Sequence, residues 1–122
     1  MLLTVLFFYH SLVDRIDVST STMRDYVIAE SIHSGIDAQV MKKIVKCESQ
    51  FRQFDSKGKP LMSPTSDVGV MQINQVHWKR AKSLDLDIFN SAVDNVAMGK
   101  IIYREQGFKA WSCYNKNVSD ET

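Results

Sequence analysis

Apolar positions recur at mixed three- and four-residue spacing through most of the chain, the period of helices that each bury one face. The first run is carried by Tyr26, Val27, Ala29 and Ile32. Ser19-Thr20-Ser21-Thr22 offers N-cap oxygens for a helix beginning near Met23, and Gly35 stops it. The second run restarts at Asp37, a good N-cap, and carries Val40, Met41, Ile44 and Val45 toward Glu48. A third helix is expected over Val76 to Leu84, with Trp78 and Ala81 inward and Leu86, Ile88 and Phe89 closing the turn after it. The fourth opens at Ser91-Ala92-Val93-Asp94, a capping box with Asp in place of the usual Glu or Gln. Its stripe is Val93, Ala97 and Ile101, with Met98 and Ile102 beside them, and Gly107 ends it.

Between the second and third helices the period is lost. Both prolines, Pro60 and Pro64, and the turn pair Lys57-Gly58 fall between Phe51 and Asp67, so loops are expected there, with at most a small hairpin near Phe54 to Met62. Those loops can form one wall of a cleft over Glu48, and Val68-Gly69-Val70-Met71-Gln72-Ile73-Asn74 follows, an apolar run whose pattern suits a buried strand. Gly69 permits close backbone approach there, and Gln72 and Asn74 supply directed hydrogen bonds within apolar walls. The fold class expected is mainly α, with four to six helices around a cleft.

The ends differ from this core. Met1 to Val13 is apolar over the length of a signal-peptide core, but lacks basic residues ahead of it and a small-residue cleavage site after it. It reads as a degenerate export signal or as a helix packed on the domain, and is too short to span a bilayer. The organisation expected is this segment and its connection over residues 1–20, one domain over 21–115 and a polar tail over 116–122.

Composition narrows the function. At 122 residues the chain fits one domain, and 15 basic against 14 acidic residues leave a net charge of +1. No global field collects nucleic acid or an anionic membrane, so a pocket must recognise the ligand. His10, His33 and His77 are scattered, with no carboxylate or thiol at ligand spacing, and there is no phosphate-cradling glycine loop. No metal and no cofactor are expected. Cys47 and Cys113 either remain as two buried thiols or form a disulfide, which by chain entropy stabilises by about 4 kcal/mol and implies an oxidising compartment.

The candidate chemistry centres on Glu48, in Lys46-Cys47-Glu48-Ser49-Gln50-Phe51. Ile44 and Glu48 are four apart and share a helix face, so the carboxylate stands where a buried stripe meets a polar loop. Partial desolvation there raises a carboxyl pKa, which suits a general acid; a solvated helix-end glutamate is the plain alternative. Asp55 and Asp67 are the candidates for a second carboxylate, although both fall in a turn-rich segment where Asp is common for conformational reasons.

Four segments in this order resemble the catalytic domain of the soluble-type lytic transglycosylases, a branch of the lysozyme-like superfamily related to goose-type lysozyme. They are Glu48-Ser49 at a helix end, Gly69-Val70-Met71-Gln72-Ile73-Asn74, Asn95 with apolar residues to Gly99 and then Tyr103, and the closing Tyr114-Asn115. The sequence departs from the family at Asp67-Val68, where a small residue is common, and at Lys116, where a small residue and glycine are usual. The resemblance implies an α+β lysozyme-like fold, mainly α, with helices around a glycan-binding cleft. It implies a peptidoglycan lytic transglycosylase that cleaves the β-1,4 bond between N-acetylmuramic acid and N-acetylglucosamine, leaves 1,6-anhydro ends, and uses Glu48 as its single acid and base.

By the same carry-over Ser49, Met71, Gln72, Asn74, Tyr103, Tyr114 and Asn115 contact or surround the substrate. Tyr114 steers Glu48, Ser49 holds a neighbouring substrate group, and Gln72 with the Met71 region lines the acetamido pocket. The partner is peptidoglycan glycan strands, met by a monomer with no stable membrane span in an extracytoplasmic compartment. Two other outcomes share this fold: a lysozyme that uses water as nucleophile, and a non-catalytic peptidoglycan-binding or secretion-accessory module.

Overall fold

The computed structural model describes residues 19–115. The apolar segment from Met1 to Val13 and the tail after Asn115 lie outside the described residues. Four α-helices, α1 (Thr20–His33), α2 (Ala38–Ser49), α3 (Trp78–Ser83) and α4 (Ala92–Gln106), surround one two-stranded antiparallel sheet of β1 (Asp67–Val68) and β2 (Ile73–Asn74). The fold is therefore mainly helical with a small hairpin.

Local chemistry sets the helix starts. Ser19 Oγ accepts from the Thr22 N–H at 3.2 Å, and Asp37 Oδ1 accepts from the Gln39 and Val40 N–H groups at 3.0 and 3.1 Å. Ser91 Oγ accepts from the Asp94 N–H at 3.1 Å. Each bond satisfies backbone donors that have no partner inside the helix, worth about 1 kcal/mol per cap. Helix α2 buries Met41, Ile44 and Val45 against α1, as its stripe predicts. At roughly 1.5–3 kcal/mol for each fully buried side chain, that contact fixes the direction in which α2 delivers Glu48.

Two inward faces differ from the apolar pattern. In α1, Ile32 is 59% exposed, Ala29 is only partly covered, and the buried face is Met23, Tyr26, Val27, Glu30 and Ser31. The helix is turned so that Glu30 pairs with Lys100 Nζ of α4, and Ser31 Oγ satisfies the Val27 carbonyl at 2.7 Å. In α4, Val93, Ala97 and Ile101 are only partly covered, while Ala92, Asn95, Val96, Met98, Gly99 and Ile102 are buried. Met71 packs onto Gly99, where an added Cβ would lie 2.7 Å from Met71 Cε and Cγ. A helix face built on glycine and asparagine gives no hydrophobic signal.

The stretch from Val68 to Asn74 is not one strand but folds back on itself, pairing Asp67 with Asn74 and Val68 with Ile73. The region from Phe54 to Met62 contributes only isolated bridges, Phe54 to Pro60 and Met62 to Val68. The Asp55 carboxylate closes the intervening turn by accepting from the Lys57 and Lys59 N–H groups at 2.8 and 3.0 Å. Pro60 has no N–H with which to extend a ladder.

Two buried amides hold the loop between β1 and β2. Asn95 Oδ1 accepts from the Met71 N–H at 2.8 Å, and its Nδ2 donates to the Val68 and Ile88 carbonyls at 3.0 and 2.8 Å. Gln53 Oε1 accepts from the Val70 N–H at 3.0 Å, and its Nε2 donates to the Ile88 and Phe89 carbonyls at 3.0 Å each. Gly69 passes between the two amides at φ +77°, where a Cβ would fall 2.2 Å from Asn95 Nδ2 and 2.6 Å from Gln53 Oε1. A side chain there is strained by the left-handed backbone and displaces both amides. Gly69→Ala is therefore expected to destabilise the protein by about 2–4 kcal/mol in urea unfolding, well beyond a surface substitution. The same change at Gly58, which has open space around it, is expected to cost only the backbone strain, about 1 kcal/mol.

Candidate active site

Glu48 sits half-buried in the last turn of α2. The chain leaves that helix through Gln50 and Phe51, two consecutive non-glycine residues at φ 53° and 62°. Such a pair costs on the order of 1 kcal/mol per residue and persists where surrounding contacts over-determine it. Here Phe51 is drawn into the core. The bend leaves the Glu48 side chain facing the C-terminal segment rather than a continued helix.

That segment is pinned beside it. Cys47 and Cys113 form a disulfide with Cα atoms 5.9 Å apart, joining α2 to a helical turn at 112–115. The Cys113 N–H donates to Glu48 Oε1 at 3.1 Å, and the Tyr114 N–H also acts on this carboxylate. Trp111 is buried just before them, its Nε1 donating to the Met71 carbonyl at 2.7 Å. The covalent bridge and the amide contact share Cys113, so the disulfide holds the donor as well as the chain.

Burial pushes the Glu48 carboxyl above the usual glutamate range, and the nearby Asp67 charge adds to that; the Cys113 and Tyr114 N–H groups oppose it. Asp67 goes the other way. Burial pushes it up, but hydrogen bonds from Ser63, Thr65 and Asn74 outweigh that and hold it below the usual aspartate range. Two neighbouring carboxyls whose environments drive their pKa values apart can divide the roles of proton donor and fixed anion. Asp55 also titrates low, through the Lys59 and Lys57 N–H groups, but it is only partly covered and serves its own turn.

The other candidate residues divide by what they touch. Ser49, 5% exposed, turns its hydroxyl inward onto the Val70 carbonyl at 2.6 Å. Met71 is fully buried against Gly99. Tertiary packing encloses both side chains. Gln72 is half-buried at φ 49°, its amide folded back to the Gly69 carbonyl at 3.0 Å. Asn74 caps the following turn through the Val76 N–H and donates to Asp67 Oδ1 at 2.8 Å. Gln72, Asn74 and Asp67 line a cavity of about 40 Å³ with His77 and Trp111.

Tyr103 lies against Trp111 with ring centroids 6.4 Å apart, and Tyr114 meets Phe108 edge-on at 5.5 Å. Asn115 closes the last turn, its Nδ2 donating to the Lys109 carbonyl at 3.0 Å. Gln53 and the backbone amide of Cys113 are contributors that the sequence did not single out. Gln53 lies in a loop with no period, and an N–H donor carries no side-chain signature.

A helix-end glutamate with a raised pKa thus stands with a buried glycine loop behind its helix end and a C-terminal segment bonded to its carboxylate. Residues 25–112 match the family described as the transglycosylase SLT domain, and the chain belongs to that family. No curated protein and no solved structure matches it. Among the described residues no helix is long and apolar enough to cross a membrane.

The raised pKa has a consequence for stability. The folded state binds the Glu48 proton more tightly than the unfolded chain does, so this contribution is complete below the unfolded carboxylate pKa and is lost as pH rises through the folded one. Glu48→Gln cannot ionise and retains an oxygen for the Cys113 N–H. It is expected to melt above the wild type at neutral pH, with the gap closing on acidification. Thermal unfolding by circular dichroism across pH 4 to 8 checks the sign.

Proposed function

We propose that the chain is a lytic transglycosylase that cuts the β-1,4 bond between N-acetylmuramic acid and N-acetylglucosamine in peptidoglycan. The family supports the substrate class. The observation that carries the reaction is the half-buried Glu48 carboxyl, raised in pKa by burial while two backbone N–H groups fix its orientation. One carboxyl suffices if it acts first as acid and then as base near its own pKa.

In this mechanism protonated Glu48 donates to the glycosidic oxygen, and the bond from that oxygen to C1 of the muramic residue breaks. Positive charge develops at C1, with help from the substrate's own acetamido group. The C6 hydroxyl of the same sugar then bonds to C1 as Glu48 takes its proton. The products are a 1,6-anhydro ring and a free hydroxyl on the departing sugar, with no water consumed and Glu48 reprotonated. Gln72 and Asn74 line the sugar site, Tyr103 and Tyr114 flank it, and Asn115 holds the closing turn. Ser49 and Met71 position the wall. The enzyme works as a monomer outside the cytoplasm, where the polymer lies and where the Cys47–Cys113 disulfide persists.

The ionised Asp67 near Glu48 favours a second reading, in which water replaces the C6 hydroxyl and a hydrolase leaves reducing ends. Glycosidases with two carboxyls usually separate them by about 5–5.5 Å for retention or 6.5–9.5 Å for inversion. Mass spectrometry of muropeptides released from purified peptidoglycan separates the readings, because anhydro ends weigh one water less. Anhydro products are expected from the wild type, falling by about 10²–10⁴-fold in Glu48→Gln while glycan binding persists. Undiminished release by that variant would remove Glu48 from the chemistry.

A further inference from the structure

The C-terminal turn over residues 112–115 is held to the domain from two sides. At its start the buried Trp111 anchors the chain, its Nε1 donating to the Met71 carbonyl at 2.7 Å. The turn's own hydrogen bonds stay inside the C-terminal segment. They run from the Asn115 N–H to the Trp111 carbonyl at 3.2 Å and from Asn115 Nδ2 to the Lys109 carbonyl at 3.0 Å. The Tyr114 ring likewise meets Phe108 of the same segment. What fastens the turn to α2 is Cys113, through its disulfide to Cys47 and its N–H to Glu48 Oε1 at 3.1 Å.

The hydrophobic core is assembled without this turn. Residues 112–115 contribute none of its buried side chains, and only Tyr114 packs partly against it. Helix α2 is seated independently, by Met41, Ile44 and Val45. Opening the bridge therefore loosens a surface turn, and the first thing lost is the donor on the carboxylate. Cys47 immediately precedes Glu48, and Cys113 supplies both the sulfur and the N–H, so bond and donor are released together. Both cysteines are only partly covered, beside the exposed Lys46 and Ser112, which leaves the sulfurs within reach of a small dithiol. Exposed disulfides are the reducible class.

We propose that the Cys47–Cys113 bridge is a redox switch on Glu48: oxidised, it holds the Cys113 N–H against the carboxyl; reduced, the chain keeps its fold and loses turnover. Cys113 is thus a positioning residue, acting through Glu48 without touching the sugar. This rests on the glycoside-cleaving role of Glu48. Opening the switch takes a dithiol. One thiolate attacks a bridge sulfur and breaks the S–S bond, and the second displaces the resulting mixed disulfide. Two electrons and two protons pass to the cysteines, leaving two thiols and an oxidised, cyclic dithiol; a disulfide oxidant reverses the exchange. A chain in a reducing compartment is therefore latent and becomes active where disulfides persist.

The test compares three forms of the full-length chain: oxidised, reduced by a dithiol, and bridged by one methylene between the two sulfurs, a link that thiols do not open. The reduced form is expected to keep its far-ultraviolet circular dichroism at room temperature. Its turnover of purified peptidoglycan should fall by about 10²-fold, the scale on which misplacing a reacting group acts, while affinity for an N-acetylglucosamine oligomer stays within about threefold. Reoxidation should restore turnover, and the methylene-bridged form should keep it in the presence of the dithiol. By NMR the Cys113 amide should follow the Glu48 titration in the oxidised and methylene-bridged forms. It should not do so in the reduced form or in oxidised Glu48→Gln.

A reduced form that unfolds outright overturns the switch, because the bridge is then a staple of the whole fold. Lost turnover with the Cys113 amide still following Glu48 also overturns it, since the donor has stayed in place. An oxidised chain that releases nothing from peptidoglycan overturns the role of Glu48 and the switch together. An active oxidised chain matched within about threefold by its folded, reduced form overturns the switch alone.

Discussion

The amide pair Gln53 and Asn95 is the constraint on which the rest of the structure depends. The loop from Val68 to Met71 is buried, yet too tightly turned to satisfy its N–H and carbonyl groups in a ladder. Unpaired backbone groups in that position would each cost on the order of 1–3 kcal/mol. The two side-chain amides supply partners on both sides, and the Ile88 and Phe89 carbonyls take their remaining donors. The turn before α4 is thereby tied to the loop beside the site. Gly69 is the residue that lets both amides approach, and Gly99 lets Met71 close the other side.

On this frame the site is assembled from three directions. Helix α2 brings Glu48 to the end of its buried stripe, and Ser49 fastens that helix end to the clamped loop through the Val70 carbonyl. The disulfide brings the Cys113 N–H to the carboxylate. Sheet register brings Asp67 and Asn74 together. The Ser49, disulfide and Cys113 contacts are not local in sequence, so the properties of Glu48 belong to the folded chain rather than to its own segment.

The electrostatics follow from that assembly. Desolvation acts on both carboxyls in the same sense, and the hydrogen bonds decide the outcome. Asp67 has three side-chain donors and titrates low, whereas Glu48 has two backbone donors that do not offset burial and the neighbouring anion. Two carboxyls whose environments drive their pKa values in opposite directions are not equivalent acids.

By itself the sequence determined the helices, their caps and the position of Glu48. These rest on spacing and on residues that act within a few positions of themselves, such as Asp37, Ser91 and the Met41, Ile44 and Val45 stripe. It also carried the family resemblance, through the order of short motifs from Glu48-Ser49 to Tyr114-Asn115, and residues 25–112 match that family. Only the tertiary structure decided that Glu30 and Asn95 face inward while Ile32 does not, because a buried polar side chain is permitted by a partner far away in sequence. It alone decided that the run from Val68 to Asn74 folds back on itself, that Ser49 and Met71 are enclosed, and that a turn aspartate stands near the catalytic candidate. Those outcomes depend on hydrogen bonds and packing between distant segments, which hydrophobic periodicity does not encode.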